Sequence, residues 1–130
     1  MQQHFHDVAI IGAGFGGLCA AIRLRESGVQ SLVILERSGE VGGTWRDNVY
    51  PGCACDVPSH LYSFSFAPNT QWTRPYPQQQ EIQDYILRVT EQYALRPLIR
   101  FNSDVQVLRW LADQACWQVE LPGQEPLLAR

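Results

Sequence analysis

Between the apolar run Val8-Ala9-Ile10-Ile11 and a helical pattern that begins at Leu18 stands Gly12-Ala13-Gly14-Phe15-Gly16-Gly17. This is a Gly-x-Gly-x-x-Gly turn placed where a buried strand leads into a helix. In that setting bare backbone N–H groups and the positive end of a helix dipole face an anion, which suits a dinucleotide pyrophosphate. Gly12 allows the tight turn, Gly14 lets the phosphates approach the backbone, and Gly17 lets the helix pack closely on the strand. Glycine-rich turns occur for many reasons, and it is the flanking strand and helix that make this one specific.

Working outward, residues 31–36 read as a continuous apolar strand of a parallel sheet, closed by Glu36. Glu36 lies nineteen residues beyond Gly17, the spacing of the acid that accepts the hydroxyls of an adenosine ribose. A carboxylate there makes charge-assisted hydrogen bonds of roughly 1.5–3 kcal/mol each. It would also repel a 2′-phosphate, so the pair of motifs favours FAD or NAD over NADP. Arg37 complicates that preference, because a neighbouring Arg is how such a site accommodates the phosphate. A solvated side chain, or one lying over the adenine, is the plainer reading of Arg37.

The remaining elements follow from periodicity. The first strand is expected at 7–11 and the first helix at 15–27, with Leu18, Ala21 and Ile22 at helical spacing and Gly28 ending it. Residues 38–77 are rich in Gly, Pro and Ser and replace the helix a simple nucleotide-binding unit would place there. So long a stretch without periodicity is either functional or disordered. Tyr50, Tyr62, Phe64 and Phe66 within it argue for order around a ligand. Ile82, Tyr85, Ile86, Val89 and Tyr93 predict an amphipathic helix over 79–95, stopped before Pro97, with the tyrosines in the core. A sheet strand at 99–102 and a hairpin of 105–110 with 116–121 follow, and another strand starts at 127–130. The fold class is therefore α/β: a Rossmann-like parallel sheet with a βαβ start and a β-hairpin or meander near the C-terminus. A doubly wound sheet needs more strands than these, so the chain is expected to be the N-terminal piece of a longer protein.

Composition narrows the function. The 130 residues are 45% hydrophobic with a formal net charge of −3, which describes one globular unit with no electrostatic case for nucleic acid or a membrane surface. Glycines after Ile11, and Arg23 and Arg25, interrupt the N-terminal apolar stretch, which is neither a signal peptide nor a membrane span. A cytoplasmic enzyme is the expected class. Cys19 and Cys116 read as small buried hydrophobes. Cys53-Ala54-Cys55 lacks a second ligand pair at zinc spacing and is not a Cys-x-x-Cys motif. His4 and His6 stand near a terminus expected to fray, so no metal is expected there.

The stretch Gly42-Gly43-Thr44-Trp45-Arg46-Asp47-Asn48-Val49-Tyr50-Pro51-Gly52-Cys53-Ala54-Cys55-Asp56 carries a resemblance. Together with the glycine turn and Glu36, and continuing through Ser63-Phe64-Ser65-Phe66 and Glu81-Ile82-x-x-Tyr85, it resembles the N-terminal FAD-binding part of class B flavoprotein monooxygenases. Within that class it is most similar to the Baeyer–Villiger monooxygenases and their bacterial flavin-monooxygenase-like relatives. The resemblance implies that residues 1–130 are part of an FAD-binding domain, with the NADPH-binding domain outside them. It implies that Gly12, Gly14 and Gly17 hold the FAD pyrophosphate, with Phe15 among the cofactor contacts, and that Glu36 holds the ribose. Gly43, Thr44 and Trp45 approach the cofactor, Tyr62 is an aromatic flavin contact, and Val105 meets the adenine through its backbone. Asp56 matches an acid at the flavin and nicotinamide site, acting electrostatically on a cationic partner. Plain packing is the competing reading of Tyr62 and Val105, and a turn cap that of Asp56.

The implied reaction starts with NADPH reducing FAD. The reduced flavin and O2 give a C4a-peroxyflavin, which inserts one oxygen into a ketone; a sulfide- or amine-oxidising relative and a non-catalytic FAD-binding module are the alternatives. The partnering Arg, a second nucleotide-binding turn and the family's fingerprint segment are not found in these residues, so the chain alone is expected to hold FAD weakly and not to turn over.

Overall fold

The computed structural model describes residues 5–130; His4 lies outside them. Strand β2 (Val8–Ile11) leads into helix α1 (Phe15–Glu26), which returns the chain to β3 (Leu32–Leu35) beside and parallel to β2. Helix α3 (Gln79–Gln92) then precedes β4 (Ile99–Arg100), which pairs parallel with the other edge of β3. The sheet order is thus β2-β3-β4. A second sheet is built from β5 (Val107–Leu111), β6 (Cys116–Glu120) and β7 (Leu127–Ala129), an antiparallel meander. A two-residue strand, β1 (Phe5–His6), adds to the outer edge of β7 in parallel. The expected α/β class, parallel sheet and C-terminal meander are all present.

Strand β3 is apolar at every position because both of its faces are covered, the pattern of a central parallel strand. Leu32 and Ile34 face the core that α1 and α3 build with Leu18, Ile22, Ile82, Ile86 and Val89. Val33 and Leu35 face the meander through Val119, Leu121 and Leu127. Each of these aliphatic side chains contributes roughly 1.5–3 kcal/mol by leaving water. Tyr85 belongs to the core as expected: 3% exposed, it donates to the Ala67 carbonyl at 2.6 Å and accepts the Phe64 N–H at 2.9 Å.

Several boundaries differ from the sequence expectation. The strand expected from 7 starts at Val8, and a separate two-residue strand, Phe5–His6, precedes it in the other sheet. Helix α3 ends at Gln92 rather than at 95, because Ala94 turns left-handed with φ of 50°. That turn lets the Leu95 N–H reach the Thr90 carbonyl and sends its side chain into the core. The strand expected at 99–102 stops at Arg100, since Asn102 is also left-handed and donates its N–H to the Ser38 carbonyl. The first hairpin strand starts at Val107 instead of 105. Residues 38–77 are ordered, with one short helix, α2 (Thr44–Asp47), and a 3-10 turn at Ser59–Leu61. Among the described residues no helix is long and apolar enough to cross a membrane.

Candidate functional site

Three parallel strands end side by side, and their C-terminal ends assemble the site, as is general for open α/β sheets. Ile11 is in register with Leu35 and Leu35 with Arg100. Immediately beyond, Gly12 donates to the Leu35 carbonyl at 2.8 Å, Glu36 to the Arg100 carbonyl at 2.9 Å, and Ser103 to the Glu36 carbonyl at 2.9 Å. The glycine turn, the acid and the segment before Val105 are therefore joined through the main chain. Gly42 donates to the Ala13 carbonyl at 2.9 Å and seats the second glycine pair on the first turn.

The glycines are required by space and by conformation. A β-carbon on Gly17 would lie 1.9 Å from the Gly12 carbonyl oxygen, so α1 can close on the turn only with hydrogen there. Gly43 has φ of 54° and ψ of −121°, a combination essentially confined to glycine. Its Cα side faces Gly14, with 3.4 Å from its added β-carbon position to Gly14 Cα.

Between these turns lies a cleft of about 400 Å³, lined by Gly12, Gly14, Glu36, Gly43, Thr44 and Val105 together with Ile11, Leu35, Arg37, Arg46, Asp47, Ser103 and Asp104. Six of the residues singled out in the sequence thus share one wall-to-wall space. Gly17 stands behind it, under the turn. Phe15 and Tyr62 line a neighbouring apolar recess of about 270 Å³ with Leu61, Ser63 and Phe64. Trp45 turns its indole inward, donating Nε1–H to the Tyr62 hydroxyl at 3.0 Å. Asp56 is exposed and lines neither space; burial is the leading cause that holds the Tyr62 phenol above its usual range, opposed by the Trp45 hydrogen bond, with Cys55 adding to it and the Asp56 charge the smallest contributor.

Glu36 is 5% exposed at its side chain and lies 3.3 Å from an Arg46 guanidinium that is itself 15% exposed. The carboxylate also accepts the Ser38 N–H at 3.1 Å and the Ala13 N–H at 3.4 Å. A buried carboxylate needs such partners to stay charged. Arg46 reaches further, donating to the Glu40 carbonyl at 2.6 Å and to Asp47 at 2.9 Å. The sequence reading gave no role to Arg46, Asp47, Ser103 or Asp104. Arg46 and Asp47 fall one helical turn after Gly43 inside the Gly-Gly-Thr-Trp stretch, which was the available signal. The Ser-Asp pair at the end of the third parallel strand was another.

Taken together, a glycine cradle, a buried acid at the next strand end and a polar wall form the arrangement the sequence led one to expect for a dinucleotide. The chain belongs to the NAD(P)-binding Rossmann-like domain family, whose model matches residues 10–78. Over 120 residues it is 57% identical to a Baeyer–Villiger monooxygenase of Streptomyces coelicolor, covering 92% of this chain and 23% of that protein. The open crystal structure of cyclohexanone monooxygenase superposes with a TM-score of 0.91 at 34% identity, over 97% of this chain and 25% of that one. A complex of OTEMO with FAD and NADP gives 0.90 at 28% identity, over 99% and 25%. The class expected from the Gly-Gly-Thr-Trp stretch is thereby borne out. The chain spans about a quarter of the length of the relatives it matches.

Proposed function

We propose that the cleft holds the adenosine diphosphate part of FAD, and that the chain is the N-terminal FAD-binding domain portion of an NADPH-dependent monooxygenase placing one oxygen atom of O2 into a ketone. The observation that carries this reading is the convergence of Gly12, Gly14, Gly43, Thr44, Glu36 and Val105 on one cleft. The residues fit the cofactor chemically: the open glycine backbone suits a diphosphate, and a buried carboxylate suits ribose hydroxyls. When bound, FAD supplies the redox chemistry, taking electrons from NADPH and activating O2.

This chain's own residues bind and orient. Gly12, Gly14 and Gly43 admit the diphosphate, while Gly17 keeps the helix close enough for its N-terminal N–H groups to serve. Glu36, held by Arg46 and Ser38, accepts the ribose hydroxyls, and the main chain at Val105 borders the adenine. Half-buried Phe15 and Tyr62, backed by buried Trp45, form the apolar continuation toward the flavin. Exposed Asp56 acts there as a charge, orienting a cationic partner. A ketone, or a sulfide in a relative, is the small-molecule substrate, and a cytoplasmic location belongs to the same proposal.

Titrating the 130-residue chain with FAD and following flavin fluorescence tests the reading. Saturable quenching that Glu36→Gln weakens supports it. Flavin fluorescence unchanged at any protein concentration overturns it.

A further inference from the structure

Arg37 is the residue whose role the reading above leaves open. It follows Glu36 directly, lines the same cleft, and is accompanied there by a second guanidinium, Arg46. An arginine at this place is the usual means of receiving a ribose 2′-phosphate. Taken alone, two guanidiniums beside the ribose-binding acid would make the cleft suitable for a phosphorylated dinucleotide.

Asp47 stands between them. Its Oδ1 accepts Arg46 Nε at 2.9 Å and lies 2.8 Å from Arg46 Nη2, while its Oδ2 is 3.8 Å from Arg37 Nη2. Arg46 is then fully engaged, since its Nη1 serves Glu36 and the Glu40 carbonyl. Arg37 is 70% exposed and has Asp47 as its ion-pair partner. The cleft carries the carboxylates of Glu36, Asp47 and Asp104 against the guanidiniums of Arg37 and Arg46. The cleft as a whole therefore has an excess of negative charge, and its cations are already paired.

Resting on the dinucleotide reading, we propose that Asp47 is the specificity-determining residue of this cleft. By pairing with both arginines it makes the site select an adenosine with a free 2′-hydroxyl and refuse one with a 2′-phosphate. Helix α2 fixes it in that position, because Asp47 is the last residue of a single turn anchored by its N–H on the Gly43 carbonyl at 3.0 Å. Removal of its charge would release Arg37 and leave two carboxylates facing two guanidiniums.

A unit charge pair about 4 Å apart in a water-like dielectric corresponds to about a fivefold change in affinity. A 2′-phosphate carries between one and two charges near neutral pH, so the expected change in selectivity is about five- to thirtyfold. The probes are ADP-ribose and 2′-phospho-ADP-ribose, which differ only in that phosphate. Their dissociation constants are measured by calorimetry on the wild-type 130-residue chain, Asp47→Asn, Asp47→Ser, Arg37→Met, and the double variant Asp47→Asn with Arg37→Met.

Wild type should prefer ADP-ribose. Both Asp47 variants should narrow or reverse that preference by the stated factor, chiefly by tighter binding of the phosphorylated probe, and Arg37→Met should undo the change. Two chemically different replacements keep the test valid if one of them folds poorly. Retention of the wild-type ratio by both Asp47 variants overturns the proposal, as does a ratio in the double variant equal to that of Asp47→Asn. A wild-type chain that binds ADP-ribose separates that failure from failure of the dinucleotide reading; a wild-type chain that binds neither probe sinks both.

Discussion

Gly17 stands so close above Gly12 that an added β-carbon would lie 1.9 Å from the Gly12 carbonyl oxygen. Both partners are backbone, one in a helix and one in a turn pinned to Leu35, so neither can give way locally. Gly17→Ala should therefore push α1 off the sheet, at a cost in the upper part of the 1–3 kcal/mol range, or about 3 kcal/mol, typical of overpacking. Chemical denaturation of the two proteins measures it, and an unchanged midpoint would show the contact to be soft.

Gly14 predicts the opposite combination. Its φ of −87° is open to any residue, and an added β-carbon meets nothing nearer than Gly43 Cα at 3.8 Å. Gly14→Ala should leave thermal stability close to wild type. The methyl group would nevertheless occupy the approach between the two glycine turns, so FAD affinity should fall by about tenfold or more, a loss of about 1.4 kcal/mol. Fluorescence titration beside a thermal melt distinguishes the two effects.

The contrast between these glycines bears on how far the sequence could be read. Strand β3, helix α1 and the glycine turn were legible because each is local: an apolar run, a helical period, a spacing. Glu36 was found by its place at the end of an apolar strand and its distance from Gly17. Strand β1 was not, since a two-residue pairing of Phe5–His6 with β7 leaves no periodic trace and its partner lies at the far end of the chain. The end of α3 was displaced for a similar reason. The apolar period continues to Leu95, but packing Leu95 into the core required a left-handed Ala94 that no propensity favours. Arg46 and Asp47 had no role in the sequence reading, and only their contacts with Glu36 and Arg37 give them one.

Glu36 itself can be tested without disturbing the sheet. Glu36→Gln keeps the side-chain length but only one acceptor oxygen, so either the Ala13 N–H at Oε1 or the Ser38 N–H at Oε2 loses its partner, while Arg46 retains Asp47 at 2.8 Å. Folding stability should fall by about 1–3 kcal/mol for the N–H group left without an acceptor. The ribose loses a charged acceptor, and FAD affinity should drop by roughly ten- to a hundredfold, from hydrogen bonds of roughly 1.5–3 kcal/mol. Equal FAD affinities in the two proteins would remove Glu36 from the site.

Two phenols give the fold an alkaline limit. Burial is the leading cause that pushes Tyr85 above its usual range, opposed by the Phe64 N–H it accepts, and burial likewise leads for Tyr62. Between the ordinary phenol value, about 10, and the higher folded value, the native chain binds more protons than the unfolded one, so stability declines as pH rises through that window. Below about pH 10 both phenols are neutral in either state and this contribution is fully present. Tyr85→Phe should lose about 1–3 kcal/mol at neutral pH, because the Phe64 N–H and Ala67 carbonyl are left without the hydroxyl. It should also show a shallower decline above about pH 10, since one of the titrating phenols is gone. Urea unfolding at a series of pH values reads both effects, and a decline as steep in Tyr85→Phe as in wild type would assign the alkaline limit to other groups.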